Sequence, residues 1–446
     1  MDFIAALRRL WRHAEFRRLL LLRMLTQAAD GTMQIGIASY VLFSPQSQPN
    51  AWAIAGVLAI SLLPYTILGP LLSPLLDRWS RRDVALYSDI GRAGLALLIA
   101  VVIFFDRTSG WGLVVLMVAL LLALSVNRFM LAGLSAGLQH TVTKDEYLSA
   151  SSIIPTMGPL GIVIGGVLGF GTRLILGRFI PAHQADAVIF VIAAAMFVAS
   201  AFTAARFGRW HLGPDHTVAA RVSMRRVLHG LVDAARHIRG RSAAAIGLVA
   251  MAVTRFLFGL LSVMVILIAR NRWHPVDEPE AAMADISVWG LMTGAGFLLA
   301  AGVVPTLVRT LGLRTGVVAL LVLGGVAQSV ATFTGNKWAI FGLSFVVGLV
   351  AQCVKICVDA LVQAHVGEQY KGRAFTFYDM GFNGAYVLAA VVAASTLPPD
   401  GFSPAAFAGM TLTYLFLAGL FAWVSTRIGV EDFDRGTGDL RGAARA

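Results

Sequence analysis

Charged residues are scarce in this chain of 446 residues: they make up 13% of it, against about 25% in an average soluble domain. The two cysteines, Cys353 and Cys357, stand in one apolar run, so the sequence indicates neither a disulfide framework nor a metal site. It also lacks the Gly-x-x-x-x-Gly-Lys-Ser/Thr loop that cradles nucleotide phosphates and the zinc-binding His-Glu-x-x-His pattern. We therefore expect no cofactor, no ATP-driven motor and no enzyme.

Apolar residues, in contrast, fill the chain: 57% of it is hydrophobic and its mean hydropathy is +0.75. Uninterrupted runs of about 20 such residues are long enough to cross a bilayer as helices. The pattern predicts an all-α membrane protein with about 12 transmembrane helices. The predicted spans, numbered in chain order, are 19–43, 51–76, 84–106, 111–138, 152–177, 186–207, 243–269, 285–308, 316–334, 338–364, 374–397 and 405–427.

A long polar segment divides these spans into two sets of six. We expect an N-terminal bundle over 1–207, a linker over 208–242, a C-terminal bundle over 243–427 and a tail over 428–446. Within the linker, Met224 to Ile238 has apolar residues at helical spacing and predicts an amphipathic helix on the membrane surface.

The basic residues fix the expected orientation. The net charge of +12 could suggest nucleic acid, but Arg concentrates in the N-terminal lead, the linker and alternate loops. The positive-inside rule then makes both termini and the linker cytoplasmic. Abundant Arg beside very few Lys is typical of a GC-rich bacterial genome, which suggests a bacterial cytoplasmic (inner) membrane. The expected partners are the lipid bilayer, small molecules and protons, with no nucleic acid, and we expect a monomer.

A polar stripe interrupts the first predicted span. Its members recur at helical spacing and share one face: Arg23, Gln27, Asp30 and Gln34. Ionisable groups at membrane depth are costly and usually face a cavity or a partner, so we expect the stripe to line a pathway. Asp30 is then a candidate proton carrier; the alternative is a fixed ion pair with Arg23 or with another helix. Further candidates for the pathway, as partners of Asp30 or of an anionic cargo, are Asn127, Arg128 and Arg255.

A second set of charged residues belongs near the predicted cytoplasmic ends of the spans. After span 2, an acid among guanidinium groups could latch that side shut, or the loop could merely hold topology. We assign the following residues to a cytoplasmic gate: Asp77, Arg78, Arg81, Arg82, Asp89, Arg92, Lys355, Asp359 and Asp379.

Two features of this sequence resemble the major facilitator superfamily. The segment Ser73 to Arg82 is similar to its signature Gly-x-x-x-Asp-Arg-x-Gly-Arg-Arg, with serine in place of both glycines. The segment that follows span 4 and ends at Tyr147 is similar to the segment that follows span 10 and ends at Tyr370. These two segments indicate a parallel repeat of the two halves. The resemblance implies two six-helix bundles and transport by alternating access, with spans 1, 4, 7 and 10 lining the cavity.

A narrower resemblance suggests export. Three small residues at four-residue spacing in span 5 resemble a glycine pattern of exporters: Gly161, Gly165 and Gly169. Such residues let helix backbones approach closely, either to seal and hinge the two halves or simply to pack helices. Arg23 with Asp30, and Asp89 with Arg92, resemble the group of bacterial enterobactin exporters and macrolide efflux proteins. This likeness implies proton-coupled export of a small amphiphilic molecule of drug or siderophore type. The alternatives are a nutrient symporter or a lysolipid flippase of the same fold and, least favoured, a membrane-embedded enzyme.

Overall fold

Helices account for all regular secondary structure in the part of the chain that the computed structural model describes. That part is residues 8–43, 52, 55–56, 58–59, 62, 79–106, 111–143, 147–213, 224–275, 278–429 and 433. Most of predicted span 2 lies outside it, and so do Asp77 and Arg78 of the predicted gate. The chain divides into two units, Met1–Ser47 with Ile67–Met224 and Gln48–Thr66 with Arg225–Ala446.

The first unit contains five long helices in its described part. They are α1 (Ala14–Phe43), α2 (Arg81–Phe104), α3 (Trp111–Gly137), α4 (Tyr147–Leu176) and α5 (Ala182–Ala205). Helix α1 packs against α4 and α5, and α2 packs against α3 and α5. At one end of α1, Ser39 donates a hydrogen bond of 2.7 Å to Asp186 of α5, whose carboxylate lies 3.0 Å from Nε of Arg173 of α4. Interhelical polar contacts of this kind help to hold helices together in lipid.

The second unit begins with the amphipathic helix of the linker. Its helices are α6 (Met224–Arg239), α7 (Ser242–Ile268), α8 (Pro279–Thr334), α9 (Lys337–His365), α10 (Glu368–Thr396) and α11 (Pro404–Ile428). Helix α7 contacts α9, α10 and α11, and it continues into a π-helical turn, Ala269–Trp273. In α6, the His237 ring stacks on Tyr370 at 4.4 Å, which attaches the linker helix to the start of α10.

Helix α8 includes both predicted spans 8 and 9. It runs for 56 residues, and its regular backbone is broken at Gly312, where φ is 77° and ψ is 161°. Leu307 and Gly316 lie close together across this break: a Cβ placed on Gly316 would be 3.2 Å from the Leu307 side chain. The chain therefore reverses direction at Gly312. The sequence predicts a loop between 308 and 316; the structure turns the chain at a single glycine instead.

Eight helical segments among the described residues are long and apolar enough to cross a membrane, and the segment Ala281–Ala331 is one of them. The helices therefore make this a multi-pass membrane protein, as the sequence predicts.

Candidate functional site

A cluster of charged side chains lies in the interior of the first unit, where α1 faces α2. Arg92 of α2 forms an ion pair with Asp30 of α1 and a second one, 3.1 Å long, with Asp89 one turn earlier on its own helix. All three side chains are at most 1% exposed. Thr26 of α1 accepts a hydrogen bond of 2.9 Å from Arg92 and donates one of 3.0 Å to Asp89.

The cluster holds more acid than base. Two carboxylates share one guanidinium, so they carry an excess negative charge when both are ionised and are neutral when they hold one proton. Oδ2 of Asp30 and Oδ2 of Asp89 are buried and have no hydrogen-bond partner among the described residues. A buried charge without a partner is strongly unfavourable. The arrangement can therefore take up and release a proton shared by the two acids.

Neighbouring side chains fix the position of the guanidinium. The Arg92 carbon Cζ lies 4.0 Å from the centre of the Phe197 ring on α5, an attractive cation–π contact. Asn127 of α3 lies next to Asp30, and Ser200 of α5 lies next to Asp89. Four helices thus position this cluster.

The ion pair of Asp30 is one of the alternatives that the sequence leaves open, a pair with another helix. Asp30 does not pair with Arg23, because seven residues along one helix separate them by about 10 Å. Arg23 instead donates a hydrogen bond of 3.1 Å to Ser135 of α3. Asp89 and Arg92, which the sequence analysis assigned to a gate, lie with Asp30 in the interior.

The polar stripe of α1 is buried over only part of its length. Gln27 is 7% exposed and Asp30 is 1% exposed, whereas Gln34 is exposed and Arg23 is half-buried. The stripe is therefore a buried segment with two more accessible ends. Arg128, a further predicted member of the pathway, lies half-buried on α3.

Two gate residues of the first unit, Arg81 and Arg82, bind the end of α5 and the chain that follows it. Arg81 donates a hydrogen bond of 3.0 Å to the carbonyl oxygen of Leu212. Arg82 pairs with Asp83 at 2.8 Å and donates to the carbonyl oxygen of Ala205 at 3.2 Å. Arg81 thus holds the start of the linker, and Arg82 the end of α5, against the start of α2.

The gate residues of the second unit cluster where α9 meets α10. Lys355 and Asp359 form an i,i+4 ion pair of 3.2 Å on α9, and Nζ of Lys355 lies 5.3 Å from the centre of the Tyr378 ring. Asp379 is next to Tyr378 on α10, and its backbone carbonyl oxygen accepts a hydrogen bond from Asn383. Lysine and acid neutralise each other here, as the spacing in the sequence suggests.

Arg255 of α7 has aromatic neighbours. Its Cζ lies 4.2 Å from the Phe382 ring and 4.4 Å from the Tyr386 ring, both on α10, and 5.2 Å from Phe258 of α7. The guanidinium is half-buried, and no carboxylate of the described residues pairs with it.

The glycines of span 5 lie where α4 crosses α1 inside the first unit. A Cβ at each would meet a backbone carbonyl oxygen of α1, that of Met24, Ala28 or Thr32, respectively; the glycines are Gly161, Gly165 and Gly169. The Thr32 hydroxyl also donates a hydrogen bond of 3.0 Å to the Gly165 carbonyl oxygen. Close approach of two backbones requires residues without side chains. These contacts fit helix packing within one unit, the second of the two interpretations that the sequence leaves open.

One segment of α3 matches the Gly-x-Ser-x-Gly pattern of serine hydrolases, from Gly133 to Gly137. That pattern acts at a strained turn between a strand and a helix. Here Ser135 lies within a helix, donates a hydrogen bond of 2.9 Å to the Leu131 carbonyl oxygen and accepts one from Arg23. The segment therefore lacks the setting of a nucleophile.

Comparison with known proteins decides the family. Residues 19–390 match the Major Facilitator Superfamily. This chain belongs to that superfamily. It is accordingly a transporter of the major facilitator type, with the all-helical fold predicted from the sequence, and not an enzyme.

Its curated relatives include mycobacterial members of the superfamily. The chain is 31% identical over 397 residues to an uncharacterised MFS-type transporter of Mycobacterium tuberculosis (strain ATCC 25618 / H37Rv), and the match covers 87% of this chain and 86% of the relative. A transporter from Mycobacterium bovis (strain ATCC BAA-935 / AF2122/97) matches to the same extent.

Solved transporters share the fold. A point mutant of the nucleoside transporter NupG superposes with a TM-score of 0.66 at 14% identity, over 92% of this chain and 99% of that one. A point mutant of the peptide transporter POT superposes with a TM-score of 0.66 at 13% identity, over 93% and 94%. Identities this low inform about architecture and not about cargo.

Proposed function

We propose that this major facilitator protein exports a small amphiphilic molecule, of drug or siderophore type, from a bacterium in exchange for protons. The observation that carries the proton coupling is the buried cluster in which Asp30 and Asp89 share Arg92. Export is supported by the resemblance of span 5 and of the charged pairs to exporters of such compounds.

The cluster provides a physical reason for coupling. With one proton bound, the three side chains are neutral together; without it, they carry an uncompensated charge that the surrounding apolar helices disfavour. A conformation that gives water or cargo access to the cluster would favour loss of the proton, and a closed conformation would favour its return. Proton binding then biases one of two states, which is what exchange requires.

The carboxylates suit this role better than the remaining charged pairs. Asp186 pairs with Arg173 one to one, and Asp359 pairs with Lys355 one to one. Neither pair needs a proton for neutrality. Asp30 and Asp89 share a single base, so one of them gains from holding a proton.

The test uses inverted membrane vesicles, in which export appears as uptake. Vesicles acidified inside should accumulate at least one compound from a panel of ethidium, erythromycin and a catecholate siderophore, and should lose it when the proton gradient is collapsed. Asp30→Asn should abolish accumulation. The matched control is Asp400→Asn, which removes an exposed carboxylate paired with Arg272 at 2.8 Å and should leave accumulation unchanged.

Several results would overturn the proposal. Accumulation by Asp30→Asn at the wild-type rate would show that the cluster does not couple transport to protons. Accumulation that survives collapse of the gradient would exclude proton exchange. Failure with the whole panel, combined with uptake of a sugar, an amino acid or a lysolipid by right-side-out vesicles, would replace export by one of the alternative functions.

A further inference from the structure

Arg255 carries a positive charge that no described residue of its own unit balances with an ion pair. Its Nε atom is buried without a hydrogen-bond partner among the described residues, and its terminal nitrogens donate no hydrogen bond to them either. Lys355, the other cation of the region, is already neutralised by Asp359. A guanidinium within membrane-spanning helices favours a counter-charge. We propose that Arg255 binds the anionic group of an aromatic ligand.

A second donor near Arg255 lacks an acceptor. The indole nitrogen of Trp289 on α8 is buried and has no hydrogen-bond partner among the described residues. The Trp289 ring stacks on Phe258, with the ring centres 6.4 Å apart. Tyr378 on α10, whose ring stacks on Phe382 at 6.3 Å, has Asp359 beside it as an acceptor for its hydroxyl. The aromatic rings near Arg255 thus include one more donor that a ligand could satisfy.

This set of groups defines the chemistry of the ligand. Two donors without matching acceptors, the Arg255 guanidinium and the Trp289 indole, favour a ligand that brings oxygen acceptors, and a guanidinium binds the paired oxygens of a carboxylate, sulfonate or phosphate with two parallel hydrogen bonds. Among the described residues, two acids lie beside Tyr378: Asp359 is already paired with Lys355, and Asp379 forms no ion pair with Arg255. The aromatic rings favour a flat apolar body by stacking, and repulsion from Arg255 disfavours a cation. The site therefore selects an aromatic anion.

Under the proposed function this anion is the cargo or a part of it. Only this role of the ligand rests on the proposed function; the binding of an anion at Arg255 does not. The binding site itself is built within the second unit from α7, α8 and α10. It shares no residue with the cluster around Arg92, so binding at Arg255 and proton exchange can be tested separately.

The experiment measures thermal stabilisation of the purified full-length protein in detergent. The probes are naphthoate, naphthalenesulfonate and naphthyl phosphate, each paired with a neutral counterpart of the same shape: naphthamide, naphthalenesulfonamide and naphthol. A ligand that binds only the folded state raises the melting temperature with its concentration. At least one anion should stabilise the wild-type protein more than its neutral counterpart does, and titration of that shift yields its dissociation constant.

The variants separate charge from geometry. Arg255→Gln should weaken binding of the anion by about ten- to a hundredfold, the contribution expected of a hydrogen bond to a charged group, and should leave the neutral probe unaffected. Arg255→Lys keeps the charge without the planar fork and should bind with intermediate affinity. The control is Arg272→Gln, since Arg272 also faces a ring, Phe402, at 4.4 Å but is already paired with Asp400.

Two outcomes overturn the inference. One is equal stabilisation of the wild-type protein by every anion and its neutral counterpart, a comparison that needs no variant to fold. The other is unchanged anion affinity in both Arg255 variants. Anion binding at Arg255 without proton-dependent accumulation in vesicles would contradict the proposed function but not this binding site. Proton-dependent accumulation without anion binding at Arg255 would contradict only the binding site.

Discussion

Arg92 on α2 reaches across to Asp30 on α1 and forms an ion pair whose two side chains are at most 1% exposed. The same guanidinium also holds Asp89, so any change in the charge of one member changes the balance of all three. The first two predictions follow from this shared charge.

Removal of the base should destabilise the first unit. In Arg92→Met, two buried carboxylates lose their counter-charge, and breaking a buried pair in this way typically costs about 3–5 kcal/mol. We expect a large fall in the melting temperature of the purified protein. The triple variant Arg92→Met with Asp30→Asn and Asp89→Asn removes the charges together and should recover most of that loss; if the triple variant is no more stable than Arg92→Met, charge balance is not what Arg92 provides.

The stability of the wild-type protein should fall as pH rises from about 4 towards neutrality, because the unfolded state loses its aspartate protons from about pH 4 upwards while the folded state still holds one. When the native state binds more protons than the unfolded state, the free energy of unfolding decreases with pH. In Asp30→Asn the remaining Asp89 and Arg92 are balanced without a proton, so this component should vanish. Melting curves of both proteins across the range provide the check, with Asp400→Asn expected to follow the wild type.

The crossing of α4 over α1 should be sensitive to a single methyl group. Gly165→Ala places a Cβ against the backbone carbonyl oxygen of Ala28, which cannot move without its helix. Overpacking of this kind costs about 1–3 kcal/mol. Gly166→Ala is the matched control in the next position, because its Cβ would lie 3.7 Å from the Ile35 side chain, an ordinary contact. Equal melting temperatures for the two variants would contradict the proximity of the two backbones.

The turn in α8 should require glycine. At Gly312 the backbone has a φ of 77° and a ψ of 161°, a combination that other residues adopt at a cost of about 1–3 kcal/mol. Gly312→Ala should therefore lower the melting temperature. Gly302→Ala, in the same helix with open space around its Cβ, should raise it slightly because alanine loses less backbone entropy in a helix. A stabilised Gly312→Ala variant would argue against the turn.

Helix positions were readable from the sequence because membrane-spanning helices are recognisable by their length and apolarity. The predicted spans 84–106 and 111–138 correspond to α2 and α3 within a few residues. The change of direction between spans 8 and 9 was also readable, because the two predicted spans meet between 308 and 316. That the chain turns at the single residue Gly312 was not, since it depends on backbone angles that the sequence does not carry.

The candidate site was readable only in part. Asp30 stood out as an acid deep in a span, and Arg92 three residues after Asp89 was visible as one turn of a helix. The contact between them depends on how α1 rotates against α2, which one sequence does not specify. Thr26 and Phe197 could not be predicted as members of the site, because threonine and phenylalanine are common in apolar helices. Only the packing of the helices brings Arg92 next to them.

The reversal of α8 also has a practical side. Loops between membrane helices are convenient places to insert a fluorescent reporter, an epitope or a protease site, and the sequence alone would suggest the stretch around Arg309 and Arg314 for such an insertion. Helix continues on both sides of Gly312, with Leu307 against Gly316, so there is no slack chain to receive a guest sequence. We expect an insertion there to separate the two helical halves of α8. Tags for labelling this transporter should therefore be placed elsewhere.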